Sequence, residues 1–194
     1  MSTSPLVLAS APLPLLPQTE LIGLCRKLLI ESNNPWLFLS SPTEFVVLQM
    51  PPKNPTPLSQ SQSIIQEVLS PFIPHIKLTT VEPTLGHLQR HGQNIPVAAH
   101  TTIVRYHTTP GNRSKVVDEC RELFTYVKEN EMDVYSLCIM LNLEKEDEFI
   151  SLERYKSREA EKEHLDSEKR LDCLKRIQGM IVGQDSRSCV ILEV

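Results

Sequence analysis

Val116, Cys120, Leu123, Phe124 and Val127 recur at helical spacing and predict one amphipathic helix over 113–130. Before it, AHTTIVRYHT (99–108) is rich in β-branched and aromatic residues and reads as a strand, closed by Pro110-Gly111-Asn112. MDVYSLCIMLNL (132–143) alternates apolar residues onto both faces, with Tyr135, Leu137, Ile139 and Leu141 on one and Val134, Cys138 and Met140 on the other. A strand of that kind is covered on both sides. EKEDE (144–148) is a charged turn, and EFISLERY (148–155) is the next strand, antiparallel by hairpin. A helix over about 157–176 follows, then two short strands, GMIVG and SCVILEV. The order is β-α-β-β-α-β, a split-βαβ or ferredoxin-like plan.

The first half repeats this plan with different residues. PLVLASAPL reads as a proline-blunted edge strand. TELIGLCRKLLIES (19–32) is a helix with a threonine N-cap, and WLFLSSPTEFVVLQM (36–50) gives two strands around a Ser-Pro turn. SQSIIQEVLSPFI (61–73) is a second helix and IKLTTVEPTL (76–85) a last strand. Fourteen of the 15 prolines precede residue 99, whereas charge concentrates after it. This shift places a boundary near Pro96 and predicts two halves, 1–97 and 98–194. The fold class expected is α+β: tandem ferredoxin-like, of the dimeric α/β-barrel type, with antiparallel sheets. A ferredoxin-like sheet carries helices on one face only, so its other face, if apolar, must meet a second sheet from the other half, another subunit, or both.

Composition narrows the function classes. A formal net charge of −4 over 194 residues gives no footprint for nucleic acid or an anionic membrane. No run of 18 apolar residues suggests a spanning helix. The N-terminal apolar run lacks a positive n-region and is broken by proline, so it reads as an extended segment rather than a targeting peptide. Five widely spaced cysteines without a CxxC pair point to a reducing, cytoplasmic setting. No glycine-rich phosphate loop or GxSxG elbow is present. His87 and His91 have helical metal spacing, but no carboxylate or cysteine stands near them, and a polar linker is the preferred reading. The 49–63 stretch reads as a loop.

The helix over 157–176 carries the candidate chemistry. With Ala160 set to zero and about 100° per residue, His164, Ser167, Leu171 and Leu174 fall at about 40°, −20°, 20° and −40°. His164 therefore shares a narrow small-or-apolar face that must pack against the sheet. It is either a locally bonded core residue or a polar group lining a pocket between helix and sheet.

The run FISLERYKSREAEKEHLDS, with Glu153, Tyr155, Ala160, His164 and Leu165, resembles the signature of antibiotic-biosynthesis-type monooxygenase (ABM) domains. VRYHTTPGNRSKVVDECREL is similar to that family's first strand, Pro-Gly turn and helix, so the resemblance spans about 99–194. It implies a small pocket and oxidation of an aromatic or polyketide-type molecule of secondary metabolism by O2, with no flavin, metal or other cofactor. On that resemblance His164 is base or substrate anchor, Tyr155 a pocket wall and hydroxyl donor, and Arg105, His107, Tyr135 and Phe124 substrate contacts. Residues 99–108 lack the asparagine common in catalytic relatives, and Tyr155 stands where those have tryptophan. The partners implied are a small hydrophobic molecule and a second copy paired through sheet faces. The alternatives are a cyclase, decarboxylase or isomerase on the same pocket, or a non-catalytic ligand-binding or dimerisation barrel, whose helix–sheet gap would be plugged by Phe124, Leu171 and Met140.

Overall fold

The computed structural model describes residues 5–12, 16–32, 36–50, 57–87 and 100–192. His91 and residues 88–99 lie outside the described residues, as do 51–56 of the expected 49–63 loop, whose residues 58–63 are helical instead. The chain contains two compact units, 1–82 with 189–194 and 83–188. This division falls inside two strands, at 82/83 and at 188/189.

In the first unit the order is β1 (Leu6–Pro12), α1 (Gln18–Ser32), β2 (Trp36–Ser40), β3 (Glu44–Gln49), α2 (Leu58–Leu69) and the start of β4 (Lys77–His87). β1 is hydrogen-bonded to β3 on one side and to β4 on the other. It is therefore an interior strand, not the edge that its prolines suggested. Pro12, at its last position, closes the strand without interrupting both ladders. The β2–β3 turn is held by Ser41, whose hydroxyl accepts from the Thr43 and Glu44 amides. Helix α1 starts at Gln18, which puts Thr19 inside the helix rather than at its cap. Val7, Ala9, Phe45 and Val47 from the strands meet Leu24, Cys25, Leu28, Ile65 and Leu69 from the helices in one apolar core.

The second unit follows the expected β-α-β-β-α-β order with its helices subdivided: β5 (His100–Thr108), α3 (Arg113–Glu119), α4 (Arg121–Asn130), β6 (Val134–Asn142), β7 (Glu148–Tyr155), α5 (Arg158–Leu165), α6 (Glu168–Ile177) and β8 (Ile181–Ile191). β7 lies between β5 and β6, antiparallel to both, and β8 flanks β5. All eight residues of β7 are buried, so its two faces are both covered. The helix face of the sheet gathers Leu137, Ile139, Phe149 and Tyr155 against Val116, Leu123, Phe124, Val127, Cys173 and Ile177. Across both units the architecture is α+β with antiparallel strands in tandem ferredoxin-like order.

Three elements of the second unit also differ from the reading of the sequence. The helix over 113–130 is two helices meeting at Cys120, although the apolar stripe expected there is buried throughout. The final strands are one: β8 runs unbroken from Ile181 to Ile191 beside β5, with alternating burial over its first eight residues. The helix over 157–176 breaks at Asp166 and Ser167, where Ser167 takes an extended conformation and its hydroxyl accepts from the Arg170 amide. The break resets the helical phase. Ala160 and His164 stay on the inner face, but Cys173 and Ile177 replace Leu171 and Leu174 as the buried residues of α6.

Ser157 caps α5 in the same way, accepting from the Ala160 amide. Ser157→Ala and Ser167→Ala are each expected to cost about 1 kcal/mol in urea unfolding. Unchanged midpoints in both variants would remove the caps from the account of why this segment is two helices.

Candidate active site

Alternation along β7 sets the site. Phe149, Ser151, Glu153 and Tyr155 share the face turned to the helices, so an apolar residue is followed by three polar ones in a row. The Ser151 hydroxyl donates to Glu153 Oε1 at 2.8 Å, and the Tyr155 hydroxyl donates to Glu153 Oε2 at 2.8 Å. Each carboxylate oxygen of Glu153, only 9% exposed, thus accepts one hydroxyl. Burial, followed by the charge of Glu153, pushes the Tyr155 phenol far above its ordinary range. Tyr155 is therefore a fixed hydroxyl donor and not a base.

His164 comes from α5, one helical turn after Ala160, and is 4% exposed. Its Nδ1 lies 2.6 Å from Glu131 Oε2. Glu131 is the residue that ends α4, its amide bonded back to the Val127 carbonyl. A carboxylate at Nδ1 selects the Nδ1–H tautomer and leaves Nε2 as the nitrogen able to take a proton. The Tyr155 ring packs at 5.8 Å from the imidazole, tilted by 41°.

Between these polar groups and the helices lies a cavity of about 510 Å³. His164, Glu153 and Ser151 form one part of its wall; Leu123, Phe124, Leu137, Ile139 and Ile177 form much of the rest. Tyr106 also lines it, stacked on Phe149 with ring centroids 4.8 Å apart and planes 18° apart. Leu171 and Leu174 lie on the wall while more than a third exposed. Arg170 lines the cavity too, and its guanidinium donates to the Leu165 carbonyl, tying α6 to the end of α5. The gap between helices and sheet is open: Phe124 and Leu171 are its walls, and Met140 does not line it.

Residues 99–176 match the family profile described as antibiotic biosynthesis monooxygenase. The match lies in the C-terminal part and covers less than half of the chain. None of the curated proteins compared with the chain is a match. Among solved structures, a candidate monooxygenase from Lactobacillus acidophilus NCFM is similar over 97% of this chain and 94% of its own, with TM-score 0.71 and 12% identity. One from Fusobacterium nucleatum covers 100% and 94%, with TM-score 0.73 and 10% identity. An anthrone oxidase-like protein covers 100% and 94%, with TM-score 0.68 and 13% identity. At these identities the likeness is one of fold, and it extends over both halves of the chain.

The second unit brings some of the expected residues together and separates others. His164 and Phe124 line the cavity. Tyr155 stands behind Glu153, its hydroxyl turned to that carboxylate, and is not a wall. Arg105 and His107 do not line the cavity, because alternation on β5 turns Tyr106 inward and its neighbours to the other side. His107 is instead beside Glu148, Nδ1 to Oε2 3.8 Å. Glu148 also accepts from Lys145 and Asn142 at the strand end, and those hydrogen bonds outweigh its burial and hold its carboxyl below the usual range. Tyr135 sits at the irregularity between Val134 and Ser136 in the β6–β7 pairing, half-buried and off the cavity wall. Ser151 was recoverable from strand alternation and Glu153 from the motif itself. Glu131 was not, since nothing local marks a helix-ending glutamate as the partner of a histidine 33 residues on.

Proposed function

We propose that the second unit is a cofactor-independent monooxygenase acting on a hydrophobic phenolic or polyketide-type aromatic in secondary metabolism. The observation that carries this reading is His164, in the wall of an apolar cavity with Nδ1 held by Glu131. Nε2 takes the proton of a bound phenol or enol, and the imidazolium formed is stabilised by the Glu131 carboxylate. The resulting carbanion passes an electron to O2, and the two radicals combine at carbon to a peroxide. Loss of water from that peroxide leaves a carbonyl, so one oxygen atom enters the product and the other leaves as water. The stacked Tyr106–Phe149 wall suits a flat ring system, and the apolar lining favours a desolvated anion reacting with O2 over one held by water. The anthrone oxidase-like relative supports the same substrate class.

Oxygen uptake by the purified, chelator-treated chain with a panel of anthrones and related phenols tests the proposal. Uptake is expected, with stoichiometric quinone formation. No uptake above that of buffer across the panel overturns it. Product formed under strict anaerobiosis would instead assign the cavity to a non-oxidative cyclase, decarboxylase or isomerase.

A further inference from the structure

We propose that Cys120 and Cys173 form a peroxide-oxidisable dithiol in the cavity wall, which closes to a disulfide joining the α3–α4 junction to α6. The two sulfurs lie 3.6 Å apart, although the residues are separated by 53 positions. Both side chains line the cavity, so a small oxidant reaches them through it. Cys120 lies between α3 and α4, where the helical run over 113–130 is divided. A disulfide needs sulfurs about 2 Å apart, so an approach of about 1.5 Å is required, within the range of side-chain rotation and adjustment at a helix junction. Arg176 already holds α6 against the end of α3, its guanidinium bonded to the Glu119 carboxylate at 2.9 Å and to the Glu119 carbonyl at 3.2 Å. The other cysteines are placed differently: Cys25 is in α1, Cys138 in β6 with its side chain away from the cavity, and Cys189 near the end of β8.

The pair is chemically asymmetric. The contact with the Cys120 sulfur, helped by the charge of Arg176, outweighs burial and lowers the Cys173 thiol below its ordinary range. The same contact, with burial, raises Cys120. Arg170 and Arg176, three residues to either side of Cys173 on α6, favour its thiolate, so Cys173 is the attacking sulfur and Cys120 the resolving one. The Cys173 thiolate attacks a peroxide oxygen: an S–O bond forms, the O–O bond breaks, and the departing oxygen takes a proton to leave as water or an alcohol. Cys120 sulfur then attacks the sulfenic sulfur. The S–S bond forms, the S–O bond breaks, and hydroxide leaves with the Cys120 proton as water. Two thiols are oxidised by two electrons and one hydroperoxide is reduced. Nothing in this step depends on the oxygenase reading.

The test uses the reduced full-length chain and a small excess of hydrogen peroxide, followed by intact mass and a non-reducing peptide map. The expected result is a loss of about 2 Da, one linked peptide pair containing Cys120 and Cys173, and reversal by dithiothreitol. In Cys120→Ser, dimedone should label Cys173; in Cys173→Ser, Cys120 should stay unlabelled. A map that joins any other pair, an intermolecular link, or Cys173 carried to sulfinic acid in the wild type without a cross-link would each overturn the proposal. The wild-type map decides the matter even if a serine variant folds poorly.

Discussion

Gly86→Ala is expected to cost at least about 3 kcal/mol, at the upper end of what single substitutions do. Gly86 lies in β4 with φ of +92°, a region that a side chain with Cβ adopts only at a cost. A Cβ there would also stand 1.9 Å from the Leu137 carbonyl oxygen and 2.5 Å from Cδ1 of Phe124. The first of these is backbone in β6 and cannot rotate aside; the second belongs to the cavity wall. Either β4 or β6 must move, and the ladder or the cavity is lost. Gly111 separates the two contributions. Its φ is +77°, but a Cβ there would meet nothing within 4 Å, so Gly111→Ala carries the backbone cost alone, about 1 kcal/mol. Urea unfolding of both variants, followed by circular dichroism, checks the difference. Equal losses at the two sites would show that the close approach of β4 to β6 is not what requires glycine at 86.

His164→Ala is expected to lower kcat for O2-dependent turnover by about 10²- to 10⁴-fold, the usual worth of a positioned general base. Glu131→Gln keeps the shape of the Nδ1 contact but removes its charge and lets the ring choose the other tautomer, so a smaller loss of about 10- to 100-fold is expected. The order of the two effects is the informative part. If His164 were only a buried structural residue, both variants would lose stability in urea while whatever folded retained full turnover. A His164→Ala enzyme within a few-fold of wild type would remove the histidine from the chemistry and leave the oxygenase reading to stand on the oxygen-uptake result. Glu153 would then be the next group to examine, since its carboxylate lies in the same wall.

His164 shows how far local periodicity reaches. Four residues of helix fix its phase relative to Ala160, and the structure keeps both on the inner face. Beyond Asp166 the same arithmetic fails, because a capped serine starts a new helix with a new phase, and Leu171 and Leu174 turn outward. The signal was present as Ser167 followed by Glu168, a helix-start pair inside a stretch that otherwise reads as one helix. β1 shows the reverse limit. Its prolines argued for an edge, but whether a strand is an edge depends on what lies beside it, and β3 and β4 flank it on both sides.

The sequence by itself determined the β-α-β-β-α-β plan of both halves and the inward turn of His164. Each follows from a period of 2 or 3.6 residues acting over less than ten positions. Only the tertiary structure decided that Glu131 meets His164, that Cys120 meets Cys173, that Arg105 and His107 face away from the cavity, and that the gap between helices and sheet is open rather than filled. Those contacts join segments tens of residues apart. They depend on how helices seat on the sheet, through side-chain volumes and packing that no local repeat encodes.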